Sequence, residues 1–490
     1  MKHGLRTILV PSIIILCLEA WPLAQKKDQG LDRALLSIQS NQIYDYCKTL
    51  SSARFSGRLT GQEGYREAAQ WAAERFREWK LRPLDKKDGY LRPYPSPYTI
   101  VDKAEMAMIT GQENIGSPKD IPIKEFKLGK DFLPCFFSDS GRNTADVAFV
   151  GWGISAPGLD YDDYAGADVR GKFVLCLKGS PVDGDLRFDE YNHLFHRVKN
   201  AIDKGALGLL IVAPEPLANP SSLWKRGFTH AVISEETADA ILGGNGTTCS
   251  KLRKLLTAKG KPFPLNLKAR IRFAVESRHF PEGIGYNVAA YFEGSDPRLR
   301  KECLLVGAHL DHCGIHMGFL YPGADDNASG CAVVLEVARA FSKVTRKPKR
   351  SVLFVLFGGE EMRIMGSEYF AEERLPPFEK TDGMINLDMV GEGDGLNCSY
   401  SPNAFDLKEL IRKADADRKI LKKIAAIEGT SFVSDHLPFL RKGVRCVWLS
   451  SNGPHLGYHQ TGDTIYRINP EIMTDCAGLV FWSGFSWADR

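Results

Sequence analysis

Beyond residue 24 this 490-residue chain has no apolar run long enough to cross a bilayer, which takes about 20 mostly apolar residues in a helix. Stable membrane insertion is therefore not expected. A basic stripe is also missing: 64 Lys and Arg stand against 60 Asp and Glu, spread along the chain, for a formal charge of +4. Without a clustered cationic face, a nucleic-acid partner is not expected. The 11 cysteines are scattered and include no CxxC pair. A core of this size does not need disulfides as a small secreted domain does, so buried, unpaired thiols are the expectation. There is no internal repeat and no low-complexity tract. What is present, 43% hydrophobic and 25% charged residues, is the composition of a soluble globular protein, and the length calls for two or three domains.

The N-terminus has a different texture. Lys2 and Arg6 precede an apolar run over residues 8–18, interrupted by Pro11 and closed by Glu19, with Ala20 and Ala24 near a cleavage point. This is the layout of a secretory signal peptide over residues 1–24 and implies export to a periplasmic or extracellular space. Leu16 before Cys17 argues against lipidation, which expects a small residue there.

Residues 31–81 read mostly as helix, with Ala68, Ala69, Trp71, Ala72, Ala73, Phe76 and Trp79 at helical spacing. The stretch SGRLTGQEG, residues 56–64, interrupts them as a loop, and a proline-rich irregular segment follows at 91–98. Over residues 131–264 short apolar runs at 147–150, 172–177 and 208–212 read as strands, with one helix at 194–204. This stretch is expected to form a separate strand-rich module without catalytic residues. The remainder, 265–490, alternates strands at 303–308, 351–357, 384–389 and 444–450 with a helix at 330–344. Continuous apolar strands alternating with helices predict an α/β sheet covered on both faces, with ligands beyond the carboxyl ends of its strands.

Polar residues gather at those ends. His309-Leu310-Asp311 follows the strand at 303–308, and GADDNASG, residues 323–330, leads into the helix. Glu360-Glu361 comes straight after SVLFVLF and two glycines. Asp388 stands inside the apolar MINLDMV, a costly position unless it is paired or bound to metal. Tyr458-His459 lies in a glycine-flanked loop. Singly, each has an ordinary structural reading as a surface pair, a helix cap or a helix face. Together, two histidines and three carboxylates suit zinc, and so many carboxylates exceed what one ion requires, suggesting two ions about 3.5–4 Å apart.

The ordered series HLD, GADDNASG, GEE, NLDMVG and YHQTGDT resembles the zinc aminopeptidase family that also includes glutamate carboxypeptidases and glutaminyl cyclases. The resemblance runs from about residue 282 to the C-terminus, with the early GRLTG loop. The middle stretch resembles a protease-associated domain through Gly151-Trp152-Gly153, the acidic-aromatic run at 160–164 and Gly171-Lys172. The implied fold is a mixed, mostly parallel sheet flanked by helices, divided as an N-terminal part (31–130), an inserted protease-associated domain (131–264) and the rest of the catalytic domain (265–490). The implied metal ligands for two Zn2+ are His309, Asp326, Glu361, Asp388 and His459, with Asp326 bridging. Glu360 would be the general base toward a metal-activated water, Asp311 would orient the His309 imidazole, and Tyr458 would stabilise the tetrahedral oxyanion. Asp325 is expected to be structural. His312, His316 and His455 are expected in loop or supporting roles, Cys313 outside the site, and Asp435 and His436 beside the substrate pocket.

The expected function is thus exopeptidase hydrolysis of a peptide or protein substrate, most naturally from the amino end. Three alternatives stand beside it. A glutaminyl cyclase usually works with one ion, which sits poorly with the full ligand set. A glutamate-type carboxypeptidase needs basic residues for the substrate carboxylate, and the sequence does not place them. A non-catalytic binding protein of the same fold normally shows lost ligands or a lost base, and here every such position holds a competent residue.

Overall fold

The computed structural model describes residues 29–85, 89–109, 122–182, 184–214, 217–427 and 434–490; the leader read at residues 1–24 lies outside them. Two sheets organise the chain. The first has nine strands, in the order Arg82–Pro83, Ile284–Phe292, Ser351–Phe357, Glu302–His309, Lys380–Leu387, Cys446–Ser451, Leu396–Tyr400 and Leu421–Ala426, with Leu91–Pro95 also pairing to Ile284–Phe292. Its four central strands are parallel and its flanks antiparallel. The mixed sheet is therefore present, parallel through its centre but with four parallel and four antiparallel pairings in all, so it is less parallel than expected.

The central strands are apolar throughout because both faces are covered. Val352, Phe354 and Leu356 point into a core shared with helices Ser40–Leu50, Gly330–Phe341 and Pro470–Ala488. Leu353, Val355 and Phe357 point to the other side, toward Phe370 and Phe439. This is period-two alternation with both phases buried. The segment at 91–98 is not irregular throughout: Leu91–Pro95 is a strand, and an edge position tolerates its two prolines because their missing N–H groups face no partner.

The second sheet has eight strands, Pro122–Phe126, Tyr98–Ile109, Leu265–Phe280, Gly141–Phe149, Phe173–Leu177, Gly208–Val212, Thr229–Ile233 and Phe132–Pro134. It has its own cores, one around Phe132, Phe149 and Phe273 and one around Val150, Val198 and Phe228. Here the sequence boundaries need correction. The unit is not confined to 131–264: its first and last strands are Tyr98–Ile109 and Leu265–Phe280, paired antiparallel from Tyr98↔Phe280 to Ile109↔Arg270. The pairing joins segments far apart in sequence, and the exposed faces carry Lys103, Glu105, Arg270 and Arg272, so neither strand stands out as an apolar run.

Among the described residues no helix is long and apolar enough to cross a membrane. The ten cysteines from Cys47 to Cys476 are buried and unpaired, as expected.

Candidate metal centre

The parallel strands deliver the polar residues to one edge. His309 ends its strand, Glu360 and Glu361 follow Phe357 across two glycines, and Asp388 follows Leu387. Asp326 comes from the turn Ala324–Ser329 that opens helix Gly330–Phe341, and His459 from the loop after Cys446–Ser451. Every residue of GADDNASG is buried, so this polar loop is interior. Its polarity is met from both sides. Asp463 accepts the amides of Asp325 at 2.8 Å and Asp326 at 3.0 Å. Asn327 accepts from Gly330 and Met389 and donates to the Leu387 carbonyl, tying the turn to the strand that carries Asp388.

The donors form two triads. His309 Nε2 lies 3.2 Å from Asp326 Oδ1 and 3.2 Å from Asp388 Oδ1. His459 Nε2 lies 2.8 Å from Glu361 Oε2 and 3.5 Å from Asp326 Oδ2. Within each triad the donor atoms fall within 4.8 Å of one another. Ligands at ~2.0–2.1 Å from a tetrahedral zinc are about 3.3–3.4 Å apart; the separations of 3.2, 3.2 and 3.5 Å agree with that spacing, and the 2.8 Å between His459 and Glu361 is shorter. Asp326 turns one oxygen toward each triad. The residues present fit zinc.

Supporting contacts fix the donors. His309 Nδ1 is 3.2 Å from the Asp311 carbonyl oxygen, an acceptor only, so Nδ1 carries the proton and Nε2 keeps its lone pair toward the triad. Ser434 Oγ donates to Asp388 Oδ2 at 2.7 Å and accepts from Asn386. His312 Nδ1 sits 2.7 Å from Glu361 Oε1, the oxygen not facing His459. Arg58, fully buried, donates to the carbonyls of Leu50, Leu310, Pro322 and Gly323 and so ties the HLD segment to the GADDNASG turn. The loop carrying it comes close enough that a Cβ on Gly57 would meet the Gly314 and Tyr321 carbonyls at 2.5 Å.

Asp311 does a different job from the one expected. Its carboxylate is 3.8 Å from His309 Nδ1, and its oxygens instead accept the amides of Glu360 at 3.1 Å and Glu361 at 3.2 Å. Burial pushes its carboxyl up to about 6 against His309 and those two amides. The backbone oxygen of Asp311 orients the imidazole, while the side chain holds the turn bearing both glutamates. Asp311→Asn leaves one oxygen for two amides, and an approximately 10- to 100-fold loss of activity or zinc affinity is expected. Wild-type zinc titration and kinetics in that variant would remove Asp311 from the site.

Glu360 is half-buried at the mouth. Burial pushes its carboxyl well above the ordinary range, Asp388, Asp435 and Glu361 add to the push, and His309 opposes it. Two cations beside it act in the opposite sense and keep such an acidic cluster ionised. Tyr458 is exposed, with its ring stacked 3.9 Å from that of His459. A cavity of about 370 Å³ opens here, lined by Glu360, Glu361, Tyr458 and His459 from one side and by His193, Phe195 and Asn219 of the second unit from the other.

The remaining expectations resolve individually. Asp325 is structural, accepting from Gly391 and paired to His455 at 2.6 Å, which also accounts for His455. His316 is spent on the Pro134 carbonyl and a stack against Phe136. Cys313 is buried beside Glu361 and His312. Asp435 and His436 are fully buried and, among the described residues, do not line the cavity; their neighbour Leu437 does.

Comparison with known proteins agrees with this geometry. Residues 287–482 match Peptidase family M28. The aminopeptidase YwaD of Bacillus subtilis is 25% identical over 386 residues, covering 74% of each chain. An aminopeptidase of Pseudomonas aeruginosa is 33% identical over 398 residues, 79% of this chain and 63% of that one. The fold is that of BSAP, a zinc aminopeptidase from Bacillus subtilis, with a TM-score of 0.64 at 19% identity, over 92% of this chain and 96% of that chain. Both triads lie inside the segment that matches Peptidase family M28, and the Pseudomonas similarity extends well beyond it; with that catalytic segment and those relatives, the chain is a zinc metallopeptidase.

Proposed function

We propose that the chain removes residues from the amino end of peptides, with one zinc ion in each triad and Asp326 bridging the two. The observation that carries the paired site is the division of Asp326, one carboxylate oxygen to His309 and the other to His459, and the amino-end reading rests on the likeness to the two aminopeptidases. Bound zinc supplies Lewis acidity toward the scissile carbonyl and acidifies the attacking water. The chain's own groups do the rest. Glu360 touches neither histidine, stands at the mouth of the cavity and takes the proton from the water, then returns it to the leaving amine. Tyr458 presents its phenol at the same mouth for the developing oxyanion. The second unit, with its likeness to a protease-associated domain, walls the cavity and limits which peptides reach the ions. Export by the N-terminal leader belongs to the same proposal.

The test combines metal analysis with peptide profiling. Purified protein is expected to hold close to two zinc equivalents, and chelation is expected to abolish hydrolysis. Peptides with a free amino end should be trimmed one residue at a time, and N-blocked counterparts should resist. One ion at full activity would overturn the paired site, and equal cleavage of blocked peptides would overturn the amino-end reading.

A further inference from the structure

The turn that carries the two glutamates closes on itself through backbone hydrogen bonds from Ile364 to Glu360, Met365 to Gly359 and Gly366 to Gly358. Closing it so tightly sets three residues in the left-handed region: Gly359 at φ 68°, Arg363 at φ 70° and Ile364 at φ 51°. Glycine takes that conformation freely and other residues do so under strain. At Gly359 the chain uses the relaxed solution. At position 363 it keeps an arginine, and strain retained beside a reactive centre points to a use for the side chain.

The surroundings of Arg363 say what that use is. Its guanidinium lies 3.6 Å over the ring of Phe195, which belongs to the second unit. Stacking engages the face of the guanidinium and leaves its edge of N–H donors open, the arrangement in which arginine reads a carboxylate with two parallel hydrogen bonds. Among the described residues Arg363 has no ion-pair partner, whereas Arg441, the other arginine in the same wall, is held by Glu368 at 3.2 Å. Both Arg363 and Phe195 line the cavity that Glu360, Glu361 and His459 also line.

We infer that Arg363 is a specificity-determining residue whose guanidinium edge receives a carboxylate of the peptide substrate close to the scissile bond. The inference rests on the peptidase reading above and adds to it a class of preferred substrate. The carboxylate has two sources, the C-terminus of a short peptide or the side chain of an aspartate or glutamate next to the cleaved bond. In either case Phe195 pins the arginine, so the second unit takes part in the selection.

The test measures kcat/KM of the zinc-loaded full chain on two matched pairs with free amino ends. Leucyl-leucine against its C-terminal amide reports the terminal carboxylate. Leucyl-glutamate amide against leucyl-glutamine amide reports the side chain. The wild type is expected to prefer the acid of at least one pair by about 10- to 100-fold, the range of a charge-assisted hydrogen bond. In Arg363→Gly that ratio should fall toward one, while the melting temperature stays level or rises because glycine relieves the φ of 70°. Arg363→Lys should retain part of the preference, having the charge without the planar fork. Equal rates on both members of both pairs in the wild type would overturn the inference. So would an Arg363→Gly variant that slows all four substrates alike, which would make the Phe195 contact a link between units and nothing more. Zinc-replete wild type that cleaves none of the four would sink the peptidase reading itself, and this inference with it.

Discussion

Replacing Glu360 with glutamine is expected to leave zinc content near that of the wild type and to lower kcat by about 10²- to 10⁴-fold, equivalent to roughly 3–5 kcal/mol of barrier. Glutamine keeps the size and hydrogen-bonding reach of the side chain but cannot accept the water's proton. Zinc should be retained because Glu360 is in neither triad, and its amide stays bound to Asp311. The adjacent residue gives the contrast. Glu361 lies 2.8 Å from His459 Nε2 and supplies a donor to that triad, so Glu361→Gln should first weaken one zinc site, and added zinc should partly restore the rate. Metal analysis beside single-turnover kinetics separates the two. If Glu360→Gln loses zinc while Glu361→Gln keeps it, the roles are exchanged; if Glu360→Gln turns over normally, another group takes the proton.

Asp326→Ala is expected to have the broadest effect on metal binding, because it is the only residue common to both donor triads. Its loss leaves His309 with Asp388 and His459 with Glu361, two protein donors each, where catalytic zinc is ordinarily held by three. Both ions should be lost on gel filtration into metal-free buffer, and hydrolysis should fall below detection. Asp388→Ala should empty chiefly the His309 side and Glu361→Ala chiefly the His459 side. Two tightly held equivalents in Asp326→Ala would show that the two sites do not share that carboxylate.

The donors could be read from the sequence for a physical reason. His309, Glu361 and Asp388 are polar residues at or just past the end of strands too apolar to tolerate them without a partner, Asp388 after MINL being the clearest case, whereas Asp326 in its turn and His459 in its loop stood out only through the motif resemblance. The central strands were legible for the same reason, because burial on both faces leaves uninterrupted runs such as SVLFVLF. What escaped depends on partners distant in sequence. Asp463 is an ordinary aspartate in a loop until the fold sets it under the amides of Asp325 and Asp326. Ser434 and Asn386 become a relay to Asp388 only when the segment before helix Leu437–Arg441 packs against the strand Lys380–Leu387. Phe195 has no local mark of being in the cavity wall. The expected role of Asp311 was correct in place and wrong in detail, since spacing cannot tell whether the carbonyl or the carboxylate of one residue faces an imidazole.

The insertion of a whole unit between Leu91–Pro95 and Ile284–Phe292 also sets a timetable for the growing polypeptide. Gln39 donates its amide to Glu336, 297 positions later, and at ~5–20 residues per second synthesis covers that distance in on the order of 15–60 s. Throughout that interval helix Ser40–Leu50 has left the ribosome while its packing partners, Gly330–Phe341 and Pro470–Ala488, have yet to be made. Ile43, Cys47 and Leu50 are then an unsheltered apolar stripe. The unit at 98–280 is complete earlier and draws its buried cores from its own residues. It can fold first and bring its two ends together at Tyr98 and Phe280, so that the nascent N-terminal helices are already tethered beside the strand on which the rest of the catalytic sheet assembles.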